Sequence, residues 1–269
     1  MYKFNIILTE VCNGSCSHCY MNLSSKKIKT TMSFDDVDRI INKIPNDTIS
    51  ITLTGGEIFC VQKLLFYTIK KIKDKNNNIN IELESNGICL YESENPKKIL
   101  TELKNMGVDY IRFSDDPFHK DGGVDLNKVR DLKKIESIDT PIIKFLVQDK
   151  VLKIGKAKQL NNECLEKRNC MNTKDTLKTP YLFLDVHGNV SICTWKCIPF
   201  LGNLINEDFS TIETRLQDNF FKLMLEGKIE EAIAYKEGCN IKILKKESKK
   251  NGQCYLCIDK YGDEWYELW

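Results

Sequence analysis

The sequence predicts an α/β protein built on a parallel sheet, with a smaller extension at its C-terminal end. Three observations lead there. Short apolar runs at residues 3–8, 49–53, 79–83, 110–113 and 142–147 read as strands, and segments of helical periodicity separate them, which is the pattern of repeated βα units. Each of the first four runs ends in residues suited to a site. Beyond residue 160 the texture changes, and seven of the 12 cysteines fall there.

The first strand runs straight into Cys12-Asn13-Gly14-Ser15-Cys16-Ser17-His18-Cys19-Tyr20. Ser33 with Asp36 then forms a capping-box pattern ahead of the apolar positions Val37, Ile40, Ile41 and Ile44, so a helix follows. The second strand ends in Thr54-Gly55-Gly56-Glu57, the third in Ser85-Asn86-Gly87 and the fourth in Ser114-Asp115-Asp116. Helices fill 61–72, 96–106 and 127–135 between strands. Active sites of parallel α/β folds lie at the carboxyl ends of strands, so the four segments are expected to converge. After the fifth strand, residues 151–158 follow almost directly. A parallel sixth strand needs a crossover of about a dozen residues or more, so the sixth unit is either degenerate or replaced by a hairpin.

In the extension, residues 181–186 and 190–193 flank His187-Gly188-Asn189 and predict a β-hairpin. A helix is expected at 209–225, and the tail otherwise reads as lacking a core of its own. The chain divides on this reading into residues 1–160 and 161–269. No internal repeat or low-complexity linker is present.

The chain has 269 residues and a formal charge of +2 from 40 basic and 38 acidic side chains. That balance argues against a nucleic-acid partner or an anionic membrane surface, and lysine runs such as residues 245–250 read as solvated faces. No stretch reaches the roughly 20 apolar residues of a membrane span. The N-terminus enters a strand without a signal peptide, so a cytoplasmic location is expected. Twelve cysteines in a reducing compartment point to metal or redox work rather than to disulfides.

Cys12, Cys16 and Cys19 put three thiols on one short loop at a strand end. Four thiolates fill a zinc site or an iron–sulfur cube, whereas three leave a position open for chemistry. This spacing resembles the cluster loop of the radical S-adenosylmethionine (radical SAM) superfamily, and Tyr20 after the third cysteine fits as its aromatic residue. The resemblance implies a partial (β/α)6 TIM-like barrel. It implies a [4Fe-4S] cluster whose open iron binds S-adenosylmethionine, reductive cleavage to a 5′-deoxyadenosyl radical, and a one-electron reductant such as flavodoxin or ferredoxin. Gly55-Gly56-Glu57 matches the motif that holds the methionine amine in that family. Glycines there also let backbone approach a ligand closely. Ser85, Asn86, Ser114 and Asp116 occupy positions that meet the carboxylate or ribose. The same residue types also favour turns and caps. His119 reads as a surface imidazole.

The later cysteines are similar to the auxiliary-cluster extension called SPASM, or its one-cluster form, twitch. Cys170, Cys193, Cys254 and Cys257 are then the ligands of one auxiliary [4Fe-4S] cluster, with Cys164 and Cys239 as alternates. Two clusters, or a four-cysteine zinc site in an interaction module, are the competing accounts. Cys60 and Cys89 read as inert packing. Cys197 is a candidate hydrogen-atom donor, by similarity to certain peptide epimerases. The resemblance implies modification of a ribosomally made precursor peptide by epimerisation or cross-linking, or else dehydrogenation of a small molecule, as in an alcohol dehydrogenase of aminoglycoside biosynthesis.

Overall fold

Five strands, β1 (Tyr2–Ile7), β2 (Thr48–Thr54), β3 (Asn80–Ser85), β4 (Val108–Ser114) and β5 (Ile142–Leu146), lie parallel and adjacent in chain order. The computed structural model describes residues 1–266 except residues 173 and 196, and within that span every side chain but those of Cys164, Lys174 and residues 263–266. The register places Phe4 beside Ile51, Ile51 beside Ile81, Leu83 beside Ile111 and Ile111 beside Ile143. These residues are all buried and form the row against which the helices pack. Because side chains alternate along a strand, Asn5, Thr52, Thr54, Glu82, Glu84, Tyr110, Arg112 and Ser114 share the opposite, concave face.

The sixth parallel strand stands where the sequence did not lead us to look. After β5 the chain forms 3-10 turns at Gly155–Gln159 and Asn162–Cys164 and one short helix at Lys174–Lys178, and among the described residues no further strand pairs with the outer edge of β5. The chain returns as β6 (Tyr181–Leu184), which pairs parallel with β1 at the other side of the sheet, Lys3 beside Tyr181 and Ile6 beside Leu184. β7 (Asn189–Ser191) turns back on β6, and β8 (Gly202–Asn203) adds to β7, giving the order β5-β4-β3-β2-β1-β6-β7-β8. The predicted hairpin is this β6–β7 pair. Asp185 Oδ1 closes its turn by accepting from the amides of His187 (2.9 Å) and Asn189 (3.0 Å), with Gly188 at φ 79°. One sheet therefore runs across the expected boundary at residue 160.

The helices follow the capping chemistry. α1 (Phe34–Lys43) starts in the capping box of Ser33 and Asp36. α2 (Gln62–Lys75), α3 (Ile88–Tyr91), α4 (Pro96–Asn105), α5 (Pro117–Asp121) and α6 (Leu126–Asp131) complete the first part. The helix expected at 127–135 tightens to a 3-10 turn from Leu132. The extension adds α7 (Lys174–Lys178), α8 (Phe209–Leu216), α9 (Asn219–Leu225), α10 (Ile229–Glu237), α11 (Ile241–Asn251) and α12 (Gln253–Tyr266).

The single helix expected at 209–225 is two. Asp218 caps the second by accepting from the Phe220 amide at 2.8 Å, and a capping residue breaks the run. Nor is the tail coreless: Phe220, Met224, Leu225, Ile229, Ala232, Ile233, Leu244 and Leu256 are buried in one cluster continuous with the sheet. Among the described residues, no helix is long and apolar enough to cross a membrane.

Candidate active site

The cysteine loop leaves the end of β1 and is gripped by three other strand ends. The amides of Gly56 and Glu57 donate to Thr9 O and Val11 O, each at 2.8 Å, so the chain after β2 continues the pairing into the loop. A Cβ on Gly55 would lie 2.6 Å from Thr9 O, and one on Gly56 2.5 Å from Val11 O. The two glycines are required by this chain-to-chain approach, a tighter constraint than the ligand approach inferred from sequence. The Ser15 amide donates to Gly122 O at 3.0 Å, and a Cβ on Gly122 would meet the backbone and sulfur of Cys16 at 2.7–2.8 Å. Lys156, after β5, gives its amide to Cys19 O and its ammonium to Ser15 O, both at 3.0 Å.

A cavity of about 260 Å³ opens on this loop. Cys12, Cys16, Cys19, Tyr20, Gly55, Gly56, Ser85, Asn86 and Ser114 all line it, so β1 to β4 do converge. Glu57 and Asp116 stand behind the wall. The Glu57 carboxylate is buried and accepts from Ser85 Oγ (2.9 Å), the Asn86 amide (2.8 Å) and the Phe59 amide (3.0 Å). Burial pushes its pKa up, against the lowering effect of these donors. Asn86 in turn donates to Asn13 Oδ1 at 2.8 Å. Asp116 caps α5 and holds His119 Nδ1 at 2.8 Å, turning that imidazole into the cavity wall. His119 is therefore not a surface residue. Its ring meets His18 edge-on at 4.7 Å, and His18 stacks on Phe118 at 5.0 Å.

Sequence reasoning missed His18, Glu84, Arg112, Gln148, Arg168 and Trp195, which also line the cavity. For Glu84 and Arg112 a signal existed: charged residues alternate with buried ones along both strands, so they must face the concave side. Arg112 pairs with Glu82 and, at 3.3 Å, with Glu84.

A second cavity of about 500 Å³ adjoins the first, and Cys170, Cys193, Cys197, Cys254 and Cys257 all line it. Arg168, Thr194 and Trp195 line both cavities. Trp195 packs edge-on against Tyr20 at 5.4 Å, and the Arg168 guanidinium lies 5.6 Å over its ring. α12 carries Cys254 and Cys257, while the turn after β7 carries Cys193 and Cys197. Cys239 lies apart, its thiol against Glu237 O at 3.9 Å. The Cys164 side chain is outside the described ones. Cys60 is exposed rather than packed, 3.9 Å from Cys89. Partial desolvation where the two side chains meet raises the pKa of both thiols, which favours their protonated, less reactive form.

Residues 6–139 match the family model described as the radical SAM superfamily. They form a radical SAM domain. No curated protein matches the chain by sequence. Among solved structures, the chain is similar to BtrN in complex with AdoMet and 2-DOIA: 15% identity, TM-score 0.60, covering 86% of this chain and 90% of BtrN. It is also similar to anSMEcpe with bound AdoMet and the Cp18Cys peptide: 17% identity, TM-score 0.52, covering 84% of each chain. At these identities the likeness is one of fold, and the fold is the mostly parallel α/β sheet of a partial barrel.

A radical SAM domain implies S-adenosylmethionine and a [4Fe-4S] cluster, and the loop fits that pair. Ser17 Oγ and His18 Nδ1 are buried without a partner, the state of polar atoms beside a space meant for a ligand. Burial pushes the Cys12 thiol up to about 11 and Cys16 up to about 12, so these sulfurs ionise when a cation compensates them. Cys16, His18 and His119 converge within 4.8 Å.

Proposed function

We propose that this radical SAM enzyme is an oxidoreductase that holds one auxiliary [4Fe-4S] cluster and oxidises a small polar substrate. The observation that carries the reading is the shared wall of Arg168, Thr194 and Trp195 between a three-cysteine cavity and one lined by five cysteines. Cys12, Cys16 and Cys19 hold the first cluster. Cys170, Cys193, Cys254 and Cys257 hold the second, and residues 161–269 supply that whole site. When bound, the first group supplies a 5′-deoxyadenosyl radical from S-adenosylmethionine, and the second supplies an acceptor for the electron that substrate oxidation releases.

The donor set fits an auxiliary cluster. Burial and repulsion from Cys193 raise three of these thiols, Cys170 to about 11, Cys254 to about 12 and Cys257 well up. A free quartet of this kind is inert, and a bound metal core stabilises its thiolate form.

The chain's own residues bind and orient. Ser85, Asn86 and Ser114 offer donors and acceptors for the amino acid and ribose parts of the cofactor, with Glu57 and Asp116 fixing them from behind. Glu84 and Arg112 give the cavity floor both charges, which suits a substrate bearing hydroxyl or amine groups. Tyr20 and Trp195, packed edge-on, form the side of the first cavity that faces the second.

Peptide modification is the second reading. The concave face stays partly exposed at Glu82, Tyr110, Lys144 and Tyr181, leaving a trough where an extended chain can lie. Which of a small hydroxylated amine or a peptide is consumed separates the two readings, and product mass tests the chemistry. Oxidation predicts a product two hydrogens lighter, with the abstracted hydrogen recovered in 5′-deoxyadenosine. A product of unchanged mass carrying one solvent deuterium contradicts oxidation and assigns an epimerase.

A further inference from the structure

We propose that the Cys197 thiol is a hydrogen-bond donor to the auxiliary-cluster ligand Cys193 and thereby sets the potential of that cluster. The proposal rests on the reading of the second cavity as a cluster site. Five described cysteines line that cavity, and a [4Fe-4S] cube takes four. Cys197 is the extra one.

The neighbourhoods distinguish it. Cys193 acts on Cys170, Cys254 and Cys257 alike, so it faces all three. Cys254 and Cys257 act on Cys197 too, but its foremost contact is a side-chain hydrogen bond with Cys193. Sulfurs on two corners of a cube stand farther apart than hydrogen-bonded sulfurs, so the Cys193–Cys197 pair supplies one ligand. Cys193, which faces the other three, is that ligand.

Cys197 is also badly placed for the radical chemistry. It lines the second cavity and not the first, with Trp195 between. Its sulfur is buried and donates at 3.3 Å to Trp195 O, which leaves it within reach of two acceptors. A thiolate on iron accepts hydrogen bonds more strongly than a thiol does, so cluster binding directs the S–H toward Cys193. A donor on a ligating sulfur offsets the added charge of reduction and raises the potential.

The test uses the anaerobically purified holoenzyme and its Cys197→Ala and Cys197→Ser variants. Iron is counted, and each cluster is titrated electrochemically while its paramagnetic signal is followed. The radical cluster, recognised by a signal that shifts on adding S-adenosylmethionine, is the internal reference. We expect about eight irons in all three proteins, a lower auxiliary potential in Cys197→Ala alone, and a value restored to or above wild type in Cys197→Ser, whose hydroxyl still donates. Loss of about four irons in Cys197→Ala makes Cys197 a ligand and overturns the proposal. An unshifted potential overturns it as well. About four irons in the wild type instead removes the auxiliary cluster itself, so failure of the underlying reading is separately visible.

Discussion

Glu57 shows how one buried carboxylate can serve a site it does not touch. It gathers the Ser85 hydroxyl and the Asn86 and Phe59 amides, and Asn86 reaches on to Asn13 in the cysteine loop. Replacing it by Gln swaps an acceptor oxygen for a donor facing those donors. We expect Glu57→Gln to cost about 1–3 kcal/mol, read as a lower anaerobic melting temperature, and an unchanged melt would refute the role. Gly122 is a sharper case. Its missing Cβ leaves room for the backbone and sulfur of Cys16 at 2.7–2.8 Å, and no flexible side chain can give way there. Gly122→Ala is expected to keep its far-ultraviolet dichroism and lose about four irons per chain; full iron content would contradict it. Gly55, Gly56 and Glu57 were legible in sequence as a motif. Gly122 was not, because nothing local marks a glycine whose partner is over a hundred residues away.

Among the elements, β6 couples the two cysteine sites. It pairs with β1, which leads into the first cysteine loop, and with β7, which leads to Cys193 and Cys197. Leu184 is fully buried beside Ile6. Leu184→Ala is expected to cost about 2–5 kcal/mol and to lower the iron bound at both sites, whereas loss at the second site alone would show that β6 does not couple them. The outer edge at β5 is protected by chemistry of its own: Glu136 accepts from the Ile143 amide and Lys133 donates to the Ile143 carbonyl at 2.8 Å. Side chains occupying an edge strand's backbone groups prevent pairing with another chain. The first five strands were legible because apolar runs and turn residues alternate locally. The partner of β6 was not, because strand order depends on where a long return finds an open edge, and here it was the edge of β1.

At the scale of the whole molecule, the fold brings two groups of cysteines, far apart in sequence, to either side of one wall. The three-cysteine loop and its glycine motif were readable from spacing. Cys170, Cys193, Cys254 and Cys257 were picked out by a family resemblance, and with Cys197 they line the second cavity. The wall itself was not readable, since Arg168 and Trp195 carry no motif and matter only because tertiary packing sets them between the cavities. The place of His119 lay similarly beyond local pattern, because an imidazole reads as exposed until a carboxylate partner, here Asp116, turns it inward. Everything proposed for the molecule depends on radical chemistry at the first loop. The most direct measurement is 5′-deoxyadenosine released from S-adenosylmethionine under dithionite by iron-replete protein. We predict release by the wild type and none by the variant with Cys12, Cys16 and Cys19 all replaced by Ala; equal yields from both, or no release from a fully loaded wild type, would contradict it.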